Sequence, residues 1–319
     1  MIRVLIAAAL AAFPHITFAQ SYPARPVTMV AGFAAGGAVD TIARIVAKRL
    51  SDRLGQNVVV DNKPGAGGVL ATQQIARSTP DGYTILLAAV GSLAVSPHLV
   101  PNIGYDPLRD LAPITMAVVF SNVIVAHPSF PAKTLAEFVQ LAKASPGKIA
   151  YGSSGIGGIG HLAGELFAQT AGIEITHVAY KGGAPAVQDL LGGQIPALIG
   201  TPVATLPHIK SGKIRALAAT GLTRAAILPD VPTVAESGYP GFEAINWYAY
   251  VAPARTPKDV IARLNREINE VLKARDVREQ LDLHGVEAKP GTSEELAKFM
   301  ESELATWGKV VKAAKIQAN

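Results

Sequence analysis

Val27-Thr-Met-Val-Ala-Gly-Phe-Ala-Ala-Gly-Gly-Ala-Val-Asp40 runs from a short apolar strand through a glycine-rich loop into an amphipathic stretch. Apolar and small residues after it (Ile42, Ile45, Val46, Leu50) recur at helical spacing, and Gly55 supplies a stop. Strand, loop and helix N-terminus in that order aim free backbone N–H groups at one spot, with the positive end of the helix dipole behind them. Such a loop is an anion site that needs no charged side chain. Gly36 and Gly37 allow close backbone approach or positive φ. Asp40, placed where the helix is expected to begin at residue 40, reads first as a cap and second as a residue that orients the loop for a ligand. Phe33 fits equally as core or as a lid.

Outward from this stretch the alternation continues. Val58-Val-Val60 is a second strand, Asn62 to Gly68 a loop, Val69 to Arg77 a helix, and Thr84 to Ala88 a third strand. The β-α-β-α-β order predicts a parallel sheet with right-handed crossovers. Ser92 and Ser96 fall in the loop after the third strand. Thr115 to Ala126 reads as one long strand, and Thr134 with Glu137 as a capping box opening a helix. A second glycine loop, Gly152-Ser-Ser-Gly-Ile-Gly-Gly-Ile-Gly160, follows the strand Lys148–Tyr151 and precedes a helix over 161–170. Strands over 175–180, 196–199 and 214–220 and a helix over 184–191 repeat the α/β pattern. The apolar run 243–252, with Trp247, Tyr248 and Tyr250, leads to three helices over 258–273, 275–283 and 293–312.

The second loop contains a literal G-x-G-x-x-G at Gly155, Gly157 and Gly160. A dinucleotide fold would want an acidic residue at the end of the next strand, about 20 residues on. That strand ends at Tyr180-Lys181 instead, so no dinucleotide is expected. Ser153 and Ser154 are hydroxyl donors for an anion, and His161 stands at the helix start. Tyr180-Lys181-Gly182-Gly183 forms a third strand-to-helix junction, with a phenol and an ammonium able to face the same cleft or solvent.

Bulk composition narrows the function classes. Residues 1–19 carry the marks of a secretory leader: a positive start at Arg3, an apolar run from Val4 to Phe13, and small residues before a cut at Gln20. The apolar run is shorter than the ~20 residues of a spanning helix. The 319-residue chain is 49% hydrophobic and 17% charged, enough for a large core and two domains. It has no cysteine, which removes thiolate catalysis and cysteine metal sites. The net charge of +5 is scattered rather than blocked, so nucleic acid is not an expected partner. The seven histidines show no metal-ligand spacing, and no Walker-type lysine motif or G-x-S-x-G elbow occurs. No cofactor and no metal are expected.

Many ordered stretches together carry a family likeness: Tyr22-Pro-Ala-Arg-Pro26, Gly32 to Gly37 with Asp40, Asn62 to Gly68, Pro80-Asp-Gly-Tyr83, Tyr151 to Gly155, His161-Leu-Ala-Gly-Glu165, Tyr180 to Gly183, Gly192-Gly-Gln194, Pro207-His-Ile209 and Leu228 to Thr233. In these the chain resembles the tripartite tricarboxylate transporter substrate-binding family, the Bug receptors, over essentially its whole mature length. The resemblance implies an α/β, two-lobed type II periplasmic-binding-protein fold, a Venus flytrap with its C-terminal helices on the first lobe. Lobe 1 is expected to comprise 20–122 and 247–319, lobe 2 residues 123–246, with hinges near 120–126 and 243–247. The resemblance further implies that backbone N–H groups of loops 33–40 and 152–155 grip a carboxylate. Ala35 and Gly155 thereby join Phe33, Gly36, Gly37, Asp40, Ser92, Ser153, Ser154, His161, Tyr180 and Lys181 as candidate ligand-binding residues. Thr201 completes the set, in the stretch Ile199-Gly-Thr201 where relatives often carry acidic or amide groups. Those departures, with Pro196 near a usual Asp, Ala249 and Arg255, disfavour an amino-acid ligand.

The expected function is a periplasmic, monomeric receptor that captures a small organic mono- or dicarboxylate and hands it to a two-component membrane permease. Two alternatives stand beside it: a receptor presenting the carboxylate to a sensor kinase, and an exported hydrolase using Ser153 or Ser154 with His161.

Overall fold

The computed structural model describes residues 22–313. The expected leader at 1–19 lies outside the described residues. The chain runs in order through β1 (Val27–Ala31), α1 (Ala38–Leu54), β2 (Val58–Asn62), α2 (Val69–Ala76) and β3 (Thr84–Ala89). A π-helical turn at Gly91–Val95 and the short α3 (Ser96–Leu99) lead to β4 (Leu111–Ser121) and β5 (Val123–Ala126). Then come α4 (Leu135–Ala144), β6 (Ala150–Ser153), α5 (Ile159–Ala171), β7 (Thr176–Ala179), α6 (Gly183–Leu191), β8 (Ala197–Gly200), α7 (Pro202–Lys210) and β9 (Arg215–Ala219). The chain closes with β10 (Ile245–Pro253), α8 (Lys258–Lys273), α9 (Arg275–Leu283), β11 (Glu287–Ala288) and α10 (Ser293–Ala313).

These strands form two sheets, ordered β11-β4-β10-β3-β1-β2 and β7-β6-β8-β5-β9. Each sheet, with its covering helices, makes one lobe of a two-lobed α/β fold. The first three strands are parallel as expected, but β10 lies antiparallel to both β3 and β4, so the sheet is mixed. Long-range return of the chain, invisible to local patterning, decides this. In α1 the buried residues Val39, Ile42, Ala43, Val46, Ala47, Leu50 and Leu54 trace one helical stripe. Burying each large apolar side chain there contributes about 1.5–3 kcal/mol. Gly55, at φ 66°, donates its N–H to Ser51 O and ends the helix. The C-terminal helices cover the first sheet. On α8, Glu267 accepts from Arg53 Nε of α1 at 2.7 Å, tying that layer together.

The single strand expected over 115–126 is two strands in two sheets. The break falls at Asn122, where the chain passes from one sheet to the other. A continuous apolar run hides such a break, because both halves are buried. The return passage, from β9 to β10, is knitted to the first by Thr220. Its Oγ1 accepts the Asn122 N–H at 2.9 Å and donates to Ala244 O at 2.8 Å. Its backbone N–H reaches Asn122 O, and Ala244 N–H reaches Thr220 O. Helix α7, the turn at Gly91–Val95 with α3, and β11 are elements that sequence patterning did not give. Two prolines, Pro202 and Pro207, obscure α7; the first sits at a helix start, where its missing N–H costs nothing.

Candidate functional site

Helices α1 and α5 begin earlier than expected, at Ala38 and Ile159 rather than at Asp40 and His161. Their N-caps are Gly37 and Gly158, both in extended backbone and without any side-chain cap. The first-turn N–H groups of a helix have no intrahelical acceptor. Here no capping side chain covers them either, so they remain available to a ligand.

A small, narrow cavity lies between the lobes. Lobe 1 lines it with Phe33, Gly37, Ala38, Val39, Asn246 and Tyr248; lobe 2 with Ser154, Gly160, Gly183 and Leu198 to Thr201; Asn122 stands at the passage between them. Four helix N-termini meet here: α1 at Gly37–Val39, α5 at Gly160, α6 at Gly183 and α7 at Thr201. Among the described residues, the lining holds no Lys, Arg, His, Asp or Glu. The site's positive potential therefore comes from backbone dipoles, which favour an anion by roughly 0.3–1 kcal/mol each and up to ~2 kcal/mol when partly buried. Charge-assisted bonds from such N–H groups are about twice as strong as neutral ones.

The lobes meet over bare backbone. Ala34 N–H donates to Lys181 O at 3.1 Å across the cleft. A Cβ placed on Gly67 would sit 2.3 Å from Ile156 O, and one on Gly91 would sit 2.8 Å from Gly157 O. Gly155, at φ 142°, faces Gly67 the same way, 3.2 Å from its Cα. Glycine on both sides is thus what allows the approach.

Of the sequence candidates, Phe33, Gly37, Ser154 and Thr201 line the cavity. The others do not, and most serve the loops that form it. Asp40 is the third residue of α1, not its cap. Its buried carboxylate accepts the Gly36 N–H at 2.9 Å and Arg44 Nε at 2.9 Å. Arg44 reaches on to Asn62 Oδ1, and Asn62 Nδ2 donates to Phe33 O, so the chain of bonds pins both ends of the loop. Burial works against the Asp40 charge, but bonds from Arg44, the Gly36 N–H and Asn62 hold its carboxyl below the usual range. Gly36 itself, at φ 77°, is exposed with its N–H committed to Asp40, and Ala35 is exposed beside it. Ser92 is buried, with Oγ bonded to Ala89 O. Tyr180 donates to Asp189 Oδ2 at 2.7 Å, and Lys181 is exposed, contributing its carbonyl rather than its ammonium.

Ser153 is fully buried, and its hydroxyl shares a 2.7 Å bond with His177 Nε2 while accepting the Gly155 N–H. His161 is buried too; its Nδ1 accepts the Gly157 N–H at 3.2 Å. Ser153 and His161 are therefore not paired with each other: each organises the second glycine loop instead. Patterning missed Asn122, Asn246 and Tyr248. Each asparagine is a lone amide inside an apolar run (Ser121-Asn-Val123, Ile245-Asn-Trp247), and that anomaly was the available signal.

Two lobes closing on a dipole-lined cavity are the architecture of a solute receptor, and comparison with known proteins agrees. The tripartite tricarboxylate transporter family receptor model matches residues 42–316. The chain belongs to this receptor family. BugT of Bordetella pertussis is 42% identical over 92% of this chain and 90% of its own. Rpa4515 of R. palustris, solved with adipate, superposes with a TM-score of 0.89 at 36% identity, covering 93% of this chain and 99% of that one. MatC of Rhodopseudomonas palustris, solved with malate, gives a TM-score of 0.87 at 31% identity over 91% and 100%. Among the described residues of this tricarboxylate-type receptor, no helix is long and apolar enough to cross a membrane.

Proposed function

We propose that this receptor, exported by the leader at 1–19, acts in the periplasm as a monomer that captures a small organic carboxylate and delivers it to a two-component permease of the tripartite tricarboxylate type. The observation that carries the reading is the convergence of four helix N-termini on a cavity with no charged side chain in its lining. The adipate and malate held by two relatives support carboxylate as the ligand class. In this mechanism a carboxylate docks on the α1 N-terminus through the N–H groups of Ala38 and Val39. The α5 and α6 N-termini then add their donors as lobe 2 swings in about hinges at 120–126 and 243–247. Binding energy that exists only in the closed form shifts the open–closed equilibrium.

A thermal-shift screen of the purified receptor against carboxylic acids, amines and neutral sugars tests it. A ligand at 100 times its Kd stabilises the folded form by about 2.7 kcal/mol. Carboxylic acids alone should raise Tm, and labelled ligand should enter cells only when receptor and permease are expressed together. Stabilisation by amines or sugars instead would overturn the reading.

A further inference from the structure

Within that cavity, two buried polar atoms have no hydrogen-bond partner among the described residues: Thr201 Oγ1 and Asn246 Oδ1. Both residues line the cavity, at 8% and 3% exposure. A buried unsatisfied group costs about 1–3 kcal/mol, so such atoms point to a ligand that completes them. Thr201 is the N-cap of α7, yet its hydroxyl makes no capping bond, which leaves it free to turn toward a ligand. Asn246 Nδ2 donates to Asn122 Oδ1 at 3.3 Å. Each amide has one carbonyl and one NH₂. Bonding to each other therefore consumes one donor and one acceptor and leaves one carbonyl and one NH₂ over, whichever way the two amides are turned.

We infer that Asn122, Asn246 and Thr201 form a neutral subsite that reads the far end of the ligand, and that this end is an uncharged group able both to donate and to accept. A primary carboxamide or a hydroxyl has that chemistry. An ionised second carboxylate only accepts, so it would set a negative oxygen against an amide carbonyl, with no cation in the lining to offset it. At the α7 terminus Pro202 has no N–H and the Ala204 N–H is bonded to Thr201 O, so that terminus offers such a charge fewer donors than α1 or α5. An ammonium only donates and would find no carboxylate in the lining. The ligand is thus a monocarboxylate with a neutral polar terminus. The inference rests on the carboxylate-receptor reading and narrows it.

Calorimetry on the receptor with a three- to six-carbon ladder of acids, each ending in methyl, hydroxyl, carboxamide, carboxylate or ammonium, is the test. At the chain length that fits best, the carboxamide or hydroxyl acid should bind at least tenfold more tightly than the dicarboxylate or the amino acid. Thr201→Val should lower that preference at least fivefold while Tm of the free receptor holds or rises, since the hydroxyl bonds to nothing in the protein. Asn246→Asp should shift preference toward the ammonium-ended acid. A dicarboxylate binding as tightly as its carboxamide, or Thr201→Val weakening every acid alike, would overturn the subsite while leaving the carboxylate receptor standing. Binding by none of the acids would overturn both.

Discussion

His161 and His177 stack with ring centroids 4.1 Å apart, one holding the Gly157 N–H and the other the Ser153 hydroxyl. The pair, neutral, is a brace behind the second glycine loop. Burial lowers the His161 pKa to about 4; burial and then the charge of His161 lower that of His177 to about 3. Both fall below the ordinary value near 6.5, so between the two ranges the unfolded chain binds more protons than the folded one. Stability from this source is complete above about pH 6.5 and is lost as pH falls toward 4 and then 3. Each unit of depression corresponds to about 1.4 kcal/mol, on the order of 3 kcal/mol for His161. Tm should be flat from pH 7 to 8 and fall steadily below 6.5. His177→Gln, which keeps a hydrogen-bonding side chain without the titration, should shallow that slope in a differential scanning series.

Gly91→Ala should separate closure from folding. Gly91 lies in the turn after β3 on lobe 1, outside the left-handed region, so alanine there meets no backbone strain. Removing a helical glycine even stabilises by roughly 0.5–1 kcal/mol. The added methyl lands 2.8 Å from Gly157 O of lobe 2. Tm of the free protein should hold or rise, carboxylate affinity should drop at least tenfold, and small-angle scattering with ligand should show a larger radius of gyration than wild type. Unchanged affinity would mean that the lobes bind ligand without this approach.

Gly155→Val adds bulk at φ 142° against Gly67 and should abolish binding measurable by calorimetry. Its circular dichroism spectrum should keep the native helix content, because the strain at positive φ and the contacts with Gly67 and Tyr180 O are confined to loops. Wild-type affinity in this variant would defeat the backbone-cradle mechanism.

Asp40 acts on the ligand only through the loop. Asp40→Ala removes the acceptor shared by the Gly36 N–H and the Arg44 guanidinium; both donors are exposed and rehydrate, so stability should fall by only about 0.5–1.5 kcal/mol. Affinity should fall about tenfold, with the loss in the association of carboxylates of every length alike. Asp40→Asn keeps one acceptor and should lose less on both measures.

Salt should matter little. On the proposed mechanism fixed dipoles inside the cleft hold the anion, so raising NaCl from 50 to 500 mM should change Kd by less than threefold, although the Debye length shrinks severalfold. A steep salt dependence would point to a surface lysine or arginine as the grip.

The reading of Val27–Asp40 as strand, glycine loop and helix N-terminus carried over to the structure, because each signal in it is local: an apolar run, residues that tolerate positive φ, and a 3.6-residue stripe. What shifted was where the helices start. Gly37 and Gly158 serve as bare caps, while patterning starts each helix at its first polar residue, so Asp40 and His161 stand two residues deeper in their helices than the pattern places them. The serines misled for a related reason. Ser92 and Ser153 have the right chemistry in the right loops, yet burial turns their hydroxyls onto Ala89 O and His177.

Composition, periodicity and loop chemistry in the sequence alone determined an α/β chain whose glycine loops lead into helix N-termini. These follow from forces between neighbours along the chain. Tertiary structure alone decided that the 115–126 run divides at Asn122, that Asn122 and Asn246, distant in sequence, pair beside Thr201, and that glycines of one lobe meet glycines of the other. Each depends on which buried groups find partners across the cleft, and hydrogen-bond satisfaction between distant segments leaves no trace in local pattern.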